Sequence, residues 1–183
     1  KTSWQAGPTG TPAALLDGKA TEIASAGDFA HDQPFTVSFW IRTPANDSSY
    51  AVVARMDDAA KNRGWDTLVQ GRRVTMHMVH AWSDDAFKVV AEAQLPADAW
   101  TRVAMTYDGG GKAAGVRVYY DGKPQKLKIE NDTFKRHTIK TEVPLTIGSR
   151  TPGGSAHGLG LTDLAIYGRA FSEAEVIGVS QAQ

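Results

Sequence analysis

The residues able to do chemistry in this chain are 20 acidic side chains, five histidines and no cysteine. Without cysteine there is no thiol nucleophile, no thiolate metal site and no disulfide framework. Glycoside hydrolysis needs two carboxyl groups flanking the scissile bond. The six glutamates are Glu22, Glu92, Glu130, Glu142, Glu173 and Glu175, and the last two suit the start of a helix. No Gly-x-Ser-x-Gly elbow is present. His77 and His80 are three apart, which on a strand puts them on opposite faces, a poor metal pair. One half-buried and one exposed histidine is the plainer expectation. Sugar binding needs flat aromatic faces together with polar groups that fix hydroxyls. Trp65 and Trp82 could supply the faces, and His80, Arg55 and Gln70 the polar groups. The competing reading is that both tryptophans anchor their own turns. The pairs Asp57-Asp58 and Asp84-Asp85 read as solvated loop charges.

These side chains need a scaffold, and the sequence describes one most clearly over residues 100–122. Val103, Met105 and Tyr107 alternate with Arg102, Ala104 and Thr106, and Val116, Val118 and Tyr120 repeat the pattern, as pleated strands require. Asp108-Gly109-Gly110-Gly111 and Asp121-Gly122 are turn signals. Phe35–Arg42 alternates strictly, with Val37, Phe39 and Ile41 on one face and Trp40 on the other. Residues 64–70 and 73–82 form a second hairpin across Gly71-Arg72, with Met76, Met78, His80 and Trp82 expected to share a face. Further strands are expected at 20–26, 50–56, 87–95, 144–148 and 160–167. Residues 126–141 read as a long polar excursion, and 149–158, with Pro152-Gly153-Gly154, as a loop. Ser172-Glu-Ala-Glu175 is a capping box opening one short helix, with Val176 inward. About a dozen short strands predict an all-β, two-sheet antiparallel sandwich with one short C-terminal helix. Residues 1–14 read as a linker or irregular lead-in with Trp4 as an anchor, and 15–183 as the domain.

The 183 residues suffice for one domain with a full core. Zero formal net charge removes the electrostatic signature of a nucleic-acid binder. No apolar run approaches ~18 residues, so no membrane insertion is expected. A start at Lys1 without a leader suggests a processed or excised piece.

The run Trp100-x-x-Val-Ala-x-Thr-Tyr-Asp-Gly109 followed by Val116-Arg-Val-Tyr-Tyr-Asp-Gly-Lys123 resembles the laminin G-like, concanavalin A-like lectin sandwich. Phe35–Arg42, residues 144–150 and residues 161–172 are similar to that family's early, late and closing segments, in the right order. Gly64-Trp-Asp-Thr-Leu-Val-Gln-Gly71 and residues 77–86 resemble the module embedded in large exported planctomycete-type proteins that carry cytochrome c-like domains. The resemblance implies a jelly roll, an extracytoplasmic location, and a glycan or other domains of the same polypeptide as partner. It also implies a structural calcium carried over onto Asp17 and Asp163, although Thr162 stands where many members have an acidic residue. Hydrolases of this fold carry roughly Glu-x-Asp-x-x-Glu on one strand, a pattern absent here, so no catalysis is expected. Two functions remain open: a non-catalytic carbohydrate-recognition module, or an interaction or spacer domain with no small ligand.

Overall fold

The structure is a computed structural model of the chain and describes residues 3–8, 10–150 and 154–181. In chain order the strands are β1 (Ser3–Ala6), β2 (Pro12–Asp17), β3 (Thr21–Ile23), β4 (Phe35–Arg42), β5 (Ser49–Asp57), β6 (Arg63–Gln70), β7 (Arg73–Ala81), β8 (Asp85–Ala91), β9 (Trp100–Tyr107), β10 (Val116–Tyr120), β11 (Lys123–Pro124), β12 (Leu127–Asp132), β13 (Leu145–Ile147) and β14 (His157–Tyr167). Among the described residues one α-helix, α1 (Glu173–Gln181), follows. Among the described residues the strands form two seven-stranded antiparallel sheets, β1-β2-β14-β4-β9-β10-β11 and β12-β8-β7-β6-β5-β13-β3. This is the two-sheet sandwich the alternation predicts.

The first sheet is anchored by β4 against β9, paired without a break from Phe35–Tyr107 to Arg42–Trp100. Val37, Phe39, Ile41, Val103, Met105, Val116 and Val118 are all buried between the sheets, and Ile147 packs against that core. The opposite face of β9 and β10 is covered by α1, through Ala104, Tyr119, Phe171 and Val176. Arg102 lies 5.9 Å above the Trp40 ring on the same side. The capping box forms: Ser172 N–H donates to Glu175 Oε2 at 2.8 Å, and Glu175 N–H donates to Ser172 Oγ at 3.4 Å.

Three expectations need correction. Residues 3–6 pair with β2 and so extend the first sheet into the expected lead-in, while Lys1, Thr2 and Thr9 lie outside the described residues. Trp4 anchors nothing, because at the sheet edge it is 66% exposed. The polar excursion contains β12, an edge strand on β8. Its exposed residues mix the charged Lys128, Glu130 and Asp132 with the apolar Ile129, so no clean alternation marks it. Pro152 and Gly153 of the expected 149–158 loop lie outside the described residues.

Phe39 is fully buried at the centre of the core, so Phe39→Ala should lower stability by about 3–5 kcal/mol through lost burial and a residual cavity. Urea unfolding followed by circular dichroism checks this; the midpoint falls while the slope stays constant.

Candidate functional site

The pleat of the β6–β7 hairpin sorts its side chains. Trp65, Val69, Val74, Met76 and Met78 point into the core. Asp66, Leu68, Gln70, His77 and Val79 therefore occupy the outer face of the second sheet. That face holds a cleft of about 360 Å³ lined by Met56, Leu68, Val79, His77, Trp82, Gln70, Lys88 and Arg150, among others. A second depression of about 620 Å³, sharing Ser49 and Gln70 with it, continues past Arg73 and Glu92 to Lys128 and Glu130. Together they make a groove across β5 to β8 that reaches β12.

Asp66 lies beneath the first cleft, fully buried. Arg150 Nη1 donates to its Oδ2 at 2.6 Å. The His77 backbone N–H donates to Oδ1 at 3.1 Å, and His77 Nδ1 lies 2.8 Å from the same oxygen. An ionised carboxylate only accepts, so His77 Nδ1 carries the proton and Nε2 is left for other partners. Burial alone would raise the Asp66 carboxyl. The His77 and Arg150 charges and hydrogen bonds outweigh burial and hold it below its ordinary value. Lys88 Nζ bonds Gln70 Oε1 at 3.0 Å and Glu130 Oε2 at 2.9 Å. Trp82 is 41% exposed, with its ring edge-on to His77 at 5.3 Å between centroids.

The five residues expected to bind ligand do not form one group. Trp82 and Gln70 line the cleft. Trp65 is only 1% exposed and belongs to the core, its ring tilted against Phe35 at 4.9 Å between centroids, with Nε1 donating to Gly27 O at 2.7 Å. It offers no face to a ligand, which corrects its expected role. Arg55 is 8% exposed and also unavailable. Its guanidinium donates to the carbonyls of Ala24, Ala26 and Thr141, bracing loops at one end of the sandwich. His80 lies apart from Trp82, with Nδ1 2.8 Å from Thr138 O. The alternation slips between Val79 and Ala81, where β7 bulges against β8. That slip turns Trp82 to the side of His77 rather than that of Met76 and Met78, which sit in the core.

Asp17 and Asp163 both border a separate depression near β2 and β14. The donor set there does not suit calcium. Arg102, itself 4% exposed, donates through Nη1 to Asp163 Oδ2 at 2.5 Å. Asp17 accepts from the Lys19 backbone N–H at 3.2 Å and lies 3.7 Å from Lys19 Nζ. A calcium ion wants six to eight oxygens, and these two carboxylates are each already matched by a basic side chain.

Sequence reasoning missed Asp66, His77, Lys88 and Arg150 as cleft residues. Alternation does place Asp66 and His77 on one face, opposite Trp65 and Met76, so half of this group was readable. Arg150 arrives from a loop more than 80 positions away, and nothing local to it points to Asp66.

The profile of the concanavalin A-like lectin/glucanases superfamily, in its laminin G form, matches residues 17–177. The chain belongs to that superfamily. No curated protein sequence matches this concanavalin A-like domain. Among solved structures, the binding domain of Paraclostridial Mosquitocidal Protein 1 superposes with a TM-score of 0.72 at 17% identity, over 98% of this chain and 45% of that one. The binding domain of botulinum neurotoxin serotype G gives 0.73 at 13% identity, over 98% and 44%. The Ruminococcus gnavus IT-sialidase CBM40, solved bound to α2,3-sialyllactose, gives 0.71 at 14% identity, over 91% and 94%. This domain thus spans less than half the length of the two toxin binding domains. At such identities the likeness is one of fold. Among the described residues of the concanavalin A-like domain, no helix is long and apolar enough to cross a membrane.

The buried carboxylate makes a pH prediction. Asp66→Asn should cost about 1.5–3 kcal/mol near neutral pH, the usual worth of charge-assisted bonds. Because the folded carboxyl is depressed, its contribution is present above the unfolded value and lost as pH falls through the folded one. The stability gap between parent and variant should therefore narrow below the ordinary value of 3.8. Urea unfolding across acidic buffers measures it.

Proposed function

We propose that the chain is a non-catalytic carbohydrate-recognition module of a larger exported protein, and that the outer-face cleft is its glycan site. The observation that carries this reading is Trp82, a 41% exposed indole bordering a cleft that Gln70, His77, Lys88 and Arg150 also line. Its ring offers an apolar surface to the C–H face of a pyranose. Gln70, Lys88, His77 Nε2 and Arg150 are the polar groups around it. The second depression gives length for further sugar units beyond the first.

A non-catalytic role is supported by the carboxylates. Acid–base cleavage of a glycosidic bond uses two carboxyls about 5–9.5 Å apart, one of them protonated. Asp66 is buried, ionised and held by His77 and Arg150, the opposite of a poised acid. Glu130, farther along the groove, is bonded to Lys88 and Lys128 and held below its ordinary value by the Lys88 bond first of all. The solved structures of the sialidase CBM40 bound to α2,3-sialyllactose and of the botulinum neurotoxin serotype D ligand-binding domain in complex with N-acetylneuraminic acid support the reading, since both share this fold. An extracytoplasmic setting accords with that role. The interaction-domain reading has its own observation, the depression of about 600 Å³ near β2 and β14, where the 66% exposed Trp4 lies beside Leu15, Leu16 and Leu161.

Affinity should be on the order of 0.1–1 mM for a short glycan, since one stack and a few hydrogen bonds leave little surplus after the costs of association. A glycan array carrying neutral and sialylated structures, probed with the multimerised domain, identifies the ligand. Trp82→Ala should then remove binding while leaving the melting temperature nearly unchanged, because the indole is not a core group. Undiminished glycan binding by that variant, or no binding to any array member by the parent, would overturn the proposal.

A further inference from the structure

We propose that His80, Asp85 and His137 form a binding site for a divalent transition-metal ion of the zinc class. The three come from different parts of the fold: the end of β7, the start of β8, and the strap of residues 133–141 that follows β12. One ligand atom from each lies within 4.8 Å of the other two, and among the described residues no other cluster of this kind is found. Two imidazoles and one carboxylate suit zinc, which takes nitrogen and oxygen at about 2.0–2.2 Å and keeps a fourth position for water at open sites. They do not suit calcium, which wants oxygen alone.

The surroundings are arranged as a metal site requires. His80 Nδ1 lies 2.8 Å from the Thr138 carbonyl, an acceptor only, so Nδ1 carries the hydrogen and the Nε2 lone pair is free to coordinate. Backbone orientation of a ligating imidazole through its other nitrogen is the common arrangement around bound metals. Asp85 is 4% exposed and fixed, with Oδ1 accepting the Lys135 backbone N–H at 2.7 Å. Its Oδ2 lies 2.5 Å from His137 Nδ1. The His80 and His137 rings are 5.1 Å apart between centroids. Tetrahedral ligands around zinc lie roughly 3.3 Å from one another. Reaching that spacing needs the His137 ring to open from its hydrogen bond, and at 61% exposure it has room.

The metal would pin the strap to the β7–β8 turn, which Thr133 Oγ1 and Asn131 Nδ2 already hold by donating to Ser83 O at 2.7 and 3.0 Å. Trp82 lies in that turn, between two of the ligands. Metal occupancy would therefore also fix the indole, a consequence that rests on the glycan reading, whereas the metal site itself does not.

The test uses the whole chain after dialysis against a chelator, titrated with zinc chloride in a calorimeter and melted with and without zinc. One zinc per chain is expected. At a free concentration 100-fold above Kd the melting temperature should rise by roughly 5–10 °C. His137→Ala, at an exposed position, should weaken zinc at least tenfold, and His80→Ala should do the same. His157→Ala, an exposed histidine on β14, should bind as the parent does. No saturable binding, or equal zinc affinity in the parent and in His137→Ala, would overturn the proposal and leave His137 and Asp85 as an ordinary ion pair. None of these measurements involves a sugar, so a missing glycan ligand and a missing metal remain separate results.

Discussion

The period of two in the β6–β7 hairpin is the constraint on which the site depends. The core between the sheets claims Trp65, Val69, Val74, Met76 and Met78. Once those are inward, Asp66, Leu68, Gln70, His77 and Val79 have only the outer face to occupy. A slip of one residue would bury Asp66 and His77 in the apolar interior and expose the methionines. Register is thus held by the hydrophobic core, and the cleft is its by-product on the other side of the same backbone. The pairing from Gly64–Val79 to Gln70–Arg73 runs without interruption, so the cleft floor is as rigid as the sheet.

The features that give the face its character are departures from that regularity. The bulge between Val79 and Ala81 moves Trp82 to the His77 side and sends His80 toward Thr138. The strap after β12 brings His137 to Asp85. The loop after β13 brings Arg150 to Asp66, whose burial that arginine makes tolerable, because an unpaired carboxylate under the cleft would be far more costly.

This division explains what was legible in the sequence. Phe35–Arg42, the two hairpins and the Ser172–Glu175 cap could be read because each is set by its own residues, through alternation, turn glycines or local hydrogen bonds. The inward face of β4 and β9 followed from the same period. Trp65 and Arg55 were misjudged because a strand pattern tells only which side a residue takes, and strict alternation had to fail at His80 before Trp82 could be placed. Trp65 is inward by the same pleat that turns Met76 and Met78 inward, and the segment before β4 closes over it through Phe29 and the Gly27 carbonyl. Asp66 was readable as outward, but its burial required Arg150, and no rule of spacing joins positions 66 and 150.

The charges of the groove point to the kind of contact it can make. Arg150 is already matched by Asp66 at 2.6 Å, and Lys88 by Glu130 at 2.9 Å. An incoming carboxylate would compete with fixed anions already in place, and its own desolvation would be only partly repaid. A polyol meets no such competition: its hydroxyls can accept from the unused N–H groups of Arg150 and Lys88 without separating either pair. In the proposed glycan site, stacking on Trp82 would add affinity that does not depend on salt, since dispersion and apolar burial are not screened. Were the groove a glycan site, recognition by shape and hydroxyl pattern would outweigh recognition by ligand charge, in keeping with 20 basic and 20 acidic residues that balance to no net charge.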